Sequence, residues 1–135
     1  MLKAISTSAA PKPFSNYSQG IAVDPGARYV FVAGQVGATV AGDIPADPAR
    51  QHELAWENVL AILAASGMDH RNIVDAHVYI TDRAHISLYR ETRDRMLMGH
   101  KPAATLLVVA GLADPRLVME VGVVAAAPAT SAGAG

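Results

Sequence analysis

Apolar residues recur at helical spacing in two stretches of the chain. Asp47-Pro48 predicts a helix start, because aspartate accepts hydrogen bonds from free backbone N–H groups and proline needs none at the first helical position. The apolar positions that follow at three- and four-residue spacing are Leu54, Ala55, Val59, Ile62 and Leu63. Gly67 then suits a left-handed C-terminal cap. Residues 84–98 show a similar spacing interrupted by a charged centre, so we expect a second helix there.

Shorter apolar stretches predict strands in the first part of the chain. Residues 19–23 and 29–33 flank Asp24-Pro25-Gly26-Ala27, whose proline and glycine suit a tight turn. We therefore expect an opening β-hairpin, followed by a loop over residues 34–48. Residues 75–81 alternate between two faces, as a third strand would.

Two later segments, residues 105–110 and 117–126, are nearly continuous runs of β-branched and aliphatic residues. Such runs are typical of strands covered on both faces. Because two helices cover one face of a sheet, the other face needs a neighbouring subunit. The composition agrees, since 51% of the residues are hydrophobic and 17% are charged, against a usual charged share of about 25%. We expect one α/β (α+β) domain over residues 1–127, working as an oligomer, and a disordered tail at 128–135.

Charge and composition exclude several kinds of partner. A net charge of −1 gives no basic field to attract nucleic acid. No apolar stretch is long enough for a membrane span and Met1-Leu2-Lys3-Ala4 does not begin a signal peptide, so we expect a cytoplasmic protein with no membrane partner. There are no cysteines, and no ligand spacing relates the histidines, so we expect no metal site. The five histidines are His52, His70, His77, His85 and His100.

Glu120 is the first candidate site residue, because it interrupts an otherwise apolar strand. A carboxylate on a buried strand is costly unless it is paired, hydrogen-bonded or open to a wet cleft. The alternatives are a carboxylate at a wet sheet edge or a structural ion pair. Tyr17 and Gln19 offer a phenol and an amide just before the first predicted strand, although both suit packing and turn roles equally well.

Several stretches in order resemble the reactive-intermediate deaminases of the RidA, or YjgF, type. They are Pro13-Phe14-Ser15-Asn16-Tyr17-Ser18-Gln19, Val32-Ala33-Gly34-Gln35-Val36, Gln51 with Asn58-Val59, Val78-Tyr79-Ile80-Thr81-Asp82, Lys101-Pro102-Ala103, and Gly111-Leu112 through Val118-Met119-Glu120-Val121. The resemblance runs from about residue 10 to residue 126, and it rests on the order and spacing of these stretches together.

The resemblance implies a chorismate-mutase-like fold, with two helices backing a mixed sheet, assembled as a homotrimer with a cleft between each pair of subunits. Members of this family hydrolyse imines and enamines, such as 2-aminoacrylate, to a ketone or keto acid and ammonia without a cofactor. The family's tyrosine, glycine backbone and glutamate carry over onto Tyr17, Gly34 and Glu120. Ribonuclease activity, attached to the family by name, is disfavoured by the net charge of −1 and the 5% of aromatic residues.

The chain departs from this family at the position that should hold the substrate carboxylate. The deaminases carry an arginine after the Pro-Ala pair, whereas Ala104 follows Pro102-Ala103 here, and alanine can donate no bidentate pair. The second-helix asparagine of the family falls at Arg90, which either replaces the lost cation or forms an ordinary i,i+4 ion pair with Asp94. The family's cysteine falls at Leu106, so with Thr105 beside it the cleft should be more apolar.

Two functions of different class remain open from the sequence. In the first, Glu120 positions or deprotonates a water while Tyr17 and the backbone near Gly34 hold an imine, an enamine or a related electrophile, with Arg90, Ala104 and Thr105 binding the substrate. In the second, the trimer binds a small metabolite or stabilises a partner protein without turnover, which explains Ala104 most simply.

Overall fold

The computed structural model describes residues 1–129, and the predicted tail therefore lies outside the described residues from position 130 onward. In chain order, the strands and α-helices within that range are β1 (Leu2–Ile5), β2 (Gly20–Val23), β3 (Arg28–Val36), α1 (Pro48–Ala65), β4 (Ile73–Ile80), α2 (Ile86–Met96), β5 (Ala103–Val108) and β6 (Met119–Ala127).

The main sheet has four strands in the order β3-β6-β4-β5. β6 runs antiparallel to both neighbours, whereas β4 and β5 are parallel and joined through α2. Both helices pack on one face, where alternate residues of β6, among them Met119, Val121 and Val123, are buried with Trp56 and Leu63 of α1. The predicted single α+β domain, a mixed sheet backed by two helices, is confirmed.

Helix α1 begins and ends where local chemistry predicts. Asp47 caps its start by accepting a hydrogen bond from the Ala49 N–H at 3.0 Å, and Pro48 occupies the first turn. Gly67 follows the helix with φ of 73°, a left-handed conformation that a residue without Cβ adopts at little cost.

The predicted opening hairpin is wrong. The turn forms, with Ala27 N–H donating to the Asp24 carbonyl, but β2 pairs with β1 and β3 pairs with β6. The nine-residue β6 buries the inward side chains of β3, Val30 and Val32, in the main core, which a four-residue strand could not do. The short β1 carries no clear alternation, so no local pattern predicts it, and β3 extends into the predicted loop as far as Val36.

The sheet face opposite the helices, called here the outer face, carries exposed apolar side chains. Tyr29 and Phe31 of β3 are 48% and 77% exposed, and Leu107 of β5 is 49% exposed. These side chains lie on the two edge strands of the sheet, and apolar side chains exposed in this way on a monomer are available to an interaction surface.

His52 of α1 lies beside His85, a half-buried residue of the turn before α2. His52 is fully buried, and its ring lies edge-on to that of His85, with centroids 6.3 Å apart. Within residues 1–129, neither ring nitrogen of His52 has a hydrogen-bond partner, and the same holds for Nε1 of Trp56 and Nδ1 of His85. Burial, with repulsion from His85 as a smaller cause, lowers the pKa of His52 to about 4.

Candidate functional site

The six candidate residues fall into two groups on opposite faces of the sheet. Tyr17, Arg90 and Ala104 line a cavity on the helix side of β5. The other three, Gly34, Thr105 and Glu120, lie on the outer face. Glu120 and Thr105 alternate along their strands with residues that pack in the core, and Gly34 lies against Glu120. Within one subunit, the structure therefore does not bring the six candidates into one site.

The cavity lies between α2, the start of β5 and the loop of residues 14–17. Its volume is about 220 Å³, and its lining consists of Phe14, Ser15, Tyr17, Tyr89, Arg90, Arg93, Ala104 and Leu106. The loop is held against β5, since Ser18 N–H donates to the Pro102 carbonyl at 3.0 Å. Because β5 is an edge strand of the sheet, the cavity opens at the side of the domain.

Tyr17 closes the loop side of the cavity. Its hydroxyl oxygen accepts a hydrogen bond from the Phe14 N–H at 3.2 Å, which leaves the hydroxyl proton free to donate. Gln19, the other polar residue noted before the first predicted strand, has a structural role instead. Its amide bonds to the backbone of Thr7 at both ends and donates to the Pro11 carbonyl at 2.8 Å.

Arg93 is a cavity residue that the sequence patterns did not single out from the charged face of α2. It is 3% exposed, and its Nη2 donates to Ser15 Oγ at 2.7 Å and to Asp94 Oδ1 at 2.8 Å. Asn16 donates to the other Asp94 oxygen at 2.8 Å, so the pair ties the loop to α2. Sequence spacing carries no signal for these contacts, because the loop and the helix are far apart in the chain.

Arg93 also lies over the ring of Tyr89, with its guanidinium carbon 5.2 Å from the ring centroid. Burial raises the pKa of the Tyr89 hydroxyl, and the positive charge of Arg93 partly opposes that rise. Tyr89 therefore keeps its proton at neutral pH and presents a neutral hydroxyl to the cavity.

Arg90 lines the same cavity but is exposed. The i,i+4 pairing with Asp94 that its spacing allowed does not form, because Asp94 already binds Arg93 and Asn16. Arg90 makes no ion pair with any carboxylate in the part of the chain that the structure describes.

On the outer face, Glu120 lies against the backbone of Gly34. A Cβ at position 34 would overlap the Glu120 carboxylate, with the carboxyl carbon at 2.9 Å. The approach occurs at an irregularity in the β3–β6 register between Val32 and Gln35, a bulge of the kind that re-aims backbone groups. Glycine at this position thus makes room for the carboxylate beside exposed backbone.

Other polar groups share the outer face with Glu120. Tyr79 lies directly across from it on β4, and His77, two residues earlier, lies between Gly122 and Thr105. The ring of His77 bonds to Asp75 Oδ2 at 2.7 Å. Thr105 is exposed on this face and separated by the sheet from Ala104 beside it.

Among residues 1–129, no group of three or more His, Cys, Asp or Glu side chains could hold a metal ion. Neither helix in that range combines the length and the hydropathy needed to cross a bilayer.

Residues 7–127 match the endoribonuclease L-PSP family. A rat protein named 2-iminobutanoate/2-iminopropanoate deaminase is 31% identical over 133 residues, covering 97% of this chain and 95% of the rat protein. TdcF of Escherichia coli strain K12 is 35% identical over 125 residues, covering 89% of this chain and 95% of TdcF. Protein DfrA of Myxococcus xanthus is 36% identical over 116 residues, covering 82% and 85%.

Solved structures give the same result. The crystal structure of E. coli TdcF with bound serine has a TM-score of 0.69 at 33% identity and covers 91% of this chain and 97% of that one. The Rid-family protein YyfB of Yersinia pestis has a TM-score of 0.81 at 20% identity, covers 92% and 97%, and shows the fold alone. The chain therefore belongs to the endoribonuclease L-PSP family, the family of the RidA/YjgF-type proteins that its sequence resembles.

Proposed function

We propose that this protein hydrolyses or tautomerises an imine, an enamine or a related small electrophilic metabolite, without a cofactor, in a cleft between subunits. The observation that carries the proposal is the carboxylate of Glu120 held against the backbone of Gly34 on the outer face of the sheet. Membership of a family in which a rat relative is named an iminobutanoate deaminase supports the same chemistry.

Each candidate has a defined part in hydrolysis. Glu120 accepts a proton from a water molecule whose oxygen bonds to the imine carbon, while backbone groups at Gly34 and the Tyr17 hydroxyl hold the substrate. That proton passes to the substrate nitrogen, which gives a carbinolamine. Glu120 then moves the proton of the new hydroxyl group to the same nitrogen, the carbon–nitrogen bond breaks, and ammonia leaves as the carbon becomes a carbonyl. Tautomerisation of an enamine needs only the proton transfer.

Assembly as a homotrimer explains how the two groups of candidates meet. The apolar outer face requires a cover, and another copy of the chain supplies one without exposing new apolar surface. In a closed ring, the outer-face group of one subunit, Gly34, Thr105 and Glu120, then faces the cavity group of the next, Tyr17, Arg90 and Ala104. The complete site exists only between subunits.

Ala104 changes what this cleft can bind. Alanine on β5 supplies no charge, and Leu106 beside it adds apolar surface. Truncating a partner of a desolvated charged pair costs about 2–5 kcal/mol of binding, so an acidic substrate needs a cation from elsewhere in the cavity. Arg90, which lines the cavity and has no ion-pair partner among the described residues, is the proposed replacement.

The second candidate function is binding without turnover, and Ala104 is the observation that favours it. A cavity whose β5 side offers no cation to hold a reacting acid suits a protein that senses or sequesters a small metabolite, or that stabilises a partner protein. Recovery of a tightly bound small molecule, chemically unchanged, would support this function over hydrolysis.

The experiment that separates the two measures ammonia and carbonyl release from freshly generated imines, including 2-iminopropionate and bulkier or uncharged imines. We expect release above the spontaneous rate with at least one imine and no added cofactor. Spontaneous rates with all of them, at enzyme concentrations that saturate binding, would contradict the hydrolase and leave the binding function.

A further inference from the structure

The cavity beside α2 has an excess of positive charge. Two of its lining residues, Arg90 and Arg93, carry guanidinium groups, and no lining residue carries a carboxylate. Asp94 neutralises Arg93, but Arg90 makes no ion pair within the described range. Residues three apart on a helix lie on the same face, so both guanidinium groups approach the cavity from one side.

Arg93 is already fixed in position. Its Nε and Nη2 donate to Asp94 and Ser15, its guanidinium group lies over the Tyr89 ring, and the residue lines the cavity. A guanidinium group that is 3% exposed and held by these contacts loses little further conformational entropy when it binds a ligand.

The opposite wall of the cavity is apolar. Ala104 and Leu106 of β5 and the ring of Phe14 face the two arginines. The volume is about 220 Å³, while a cavity of about 150 Å³ holds benzene, so a ligand of about eight non-hydrogen atoms fits. The small side chain of Ala104 leaves this room.

We propose that Arg90 and Arg93 together clamp the carboxylate of a small monocarboxylic acid, whose apolar body lies against Phe14, Ala104 and Leu106. The single excess positive charge matches one carboxylate, and a planar carboxylate fits the guanidinium fork. Arg93 is the preformed half of the clamp, and the exposed Arg90 closes on the ligand. This inference rests on the proposed function and names its substrate class as imino acids with a branched or otherwise bulky apolar side chain.

The test compares two ligands of equal shape, 3-methylbutanoate and 3-methylbutanamide, titrated calorimetrically into the assembled protein at low salt. We expect the acid to bind about tenfold more tightly than the amide, and inorganic phosphate to bind more weakly than the acid. Equal affinities for acid and amide would overturn the clamp, and tighter binding of phosphate would overturn its assignment to carboxylates.

Variants locate the effect on the protein. Arg90→Gln should remove most of the acid's advantage over the amide, and Arg90→Lys should restore part of it. Arg83→Gln is the matched control, because it removes the same charge from the turn before α2, outside the cavity lining. If Arg83→Gln reduced the preference for the acid as much as Arg90→Gln does, the preference would come from the overall charge of the protein, and the clamp would be overturned. Arg90 is the position to change, since replacing Arg93 would also release the loop of residues 14–17.

The clamp and the proposed reaction can fail separately. Turnover of imines with equal affinity for acid and amide would reject the clamp alone. A strong preference for the acid in a protein that hydrolyses no imine would keep the clamp and reject the reaction.

Discussion

Replacing Glu120 by glutamine is expected to lower imine turnover by about 10²- to 10⁴-fold, the range that a general base contributes. Glutamine has nearly the same shape and still fits against Gly34, but its amide accepts no proton from water. The affinity for a substrate-like acid should fall much less than the rate, because Arg90 and Arg93, which are proposed to hold its carboxylate, are unchanged. Steady-state rates and calorimetric affinities measured on the same preparation test both halves of this expectation.

Two further variants show whether the position of the carboxylate matters. Gly34→Ala keeps the acid but places a Cβ where the carboxylate lies, so it should also lower the rate. Glu91→Gln makes the same chemical change on the exposed part of α2, outside the cavity lining, and should leave the rate unaltered. Wild-type turnover in Glu120→Gln would contradict the catalytic role of Glu120 and favour a structural one, as a carboxylate at a wet sheet edge or in an ion pair.

Lowering the pH from 7 to 4 is expected to lower the free energy of unfolding by about 3 kcal/mol through the protonation of His52 alone. This figure follows from a pKa shift of about 2.5 units at about 1.4 kcal/mol each. The pKa of His52 is lowered to about 4 in the folded protein, from 6.5, chiefly by burial. The contribution of neutral, buried His52 to the free energy of unfolding is therefore fully present above pH 6.5. It falls as the pH drops and levels off below pH 4. Urea unfolding at fixed subunit concentration across this range measures the loss.

A comparison of variants separates the effect of His52 on stability from the effect of the carboxyl groups that titrate in the same pH range. His52→Leu removes the titration, so its free energy of unfolding should fall by about 3 kcal/mol less than that of the wild type over the same range. His70→Gln, a change on the short turn before β4, should retain the full wild-type dependence. If the free energy of unfolding depended on pH in the same way in the wild type and in His52→Leu, protonation of His52 would not contribute to the loss of stability in acid.

The helices and the central strands were predictable because their signals are local. Asp47-Pro48 and Gly67 bound α1 through hydrogen bonds and a backbone conformation set within a few residues. The pairing of β3 was not predictable in this way, since its partner β6 lies about 90 residues away and competes with a tight turn that forms regardless. Sequence patterns give the elements but not the long-range choice between partners.

In the candidate site, too, residues marked by a local pattern were predictable and residues defined by long-range contacts were not. Glu120 and Ala104 were found because each breaks a pattern, an apolar strand in one case and a family motif in the other. Arg93 was not distinguished from its charged neighbours, because its burial depends on Ser15 and Asn16 reaching across from the loop. The separation of Tyr17 from Glu120 by the sheet is a property of the fold that no local pattern encodes.

The most direct test of a site shared between subunits is the imine turnover of mixed assemblies. Glu120→Gln disables the outer-face group, and Ala104→Phe fills the cavity, so each parent protein should be inactive. Coexpression at equal levels should recover about a quarter of the wild-type rate, because random closed rings join one intact group of each kind at that frequency. A rate no higher than the sum of the two parents, in assemblies shown by sedimentation to contain both chains, would contradict a site built between subunits.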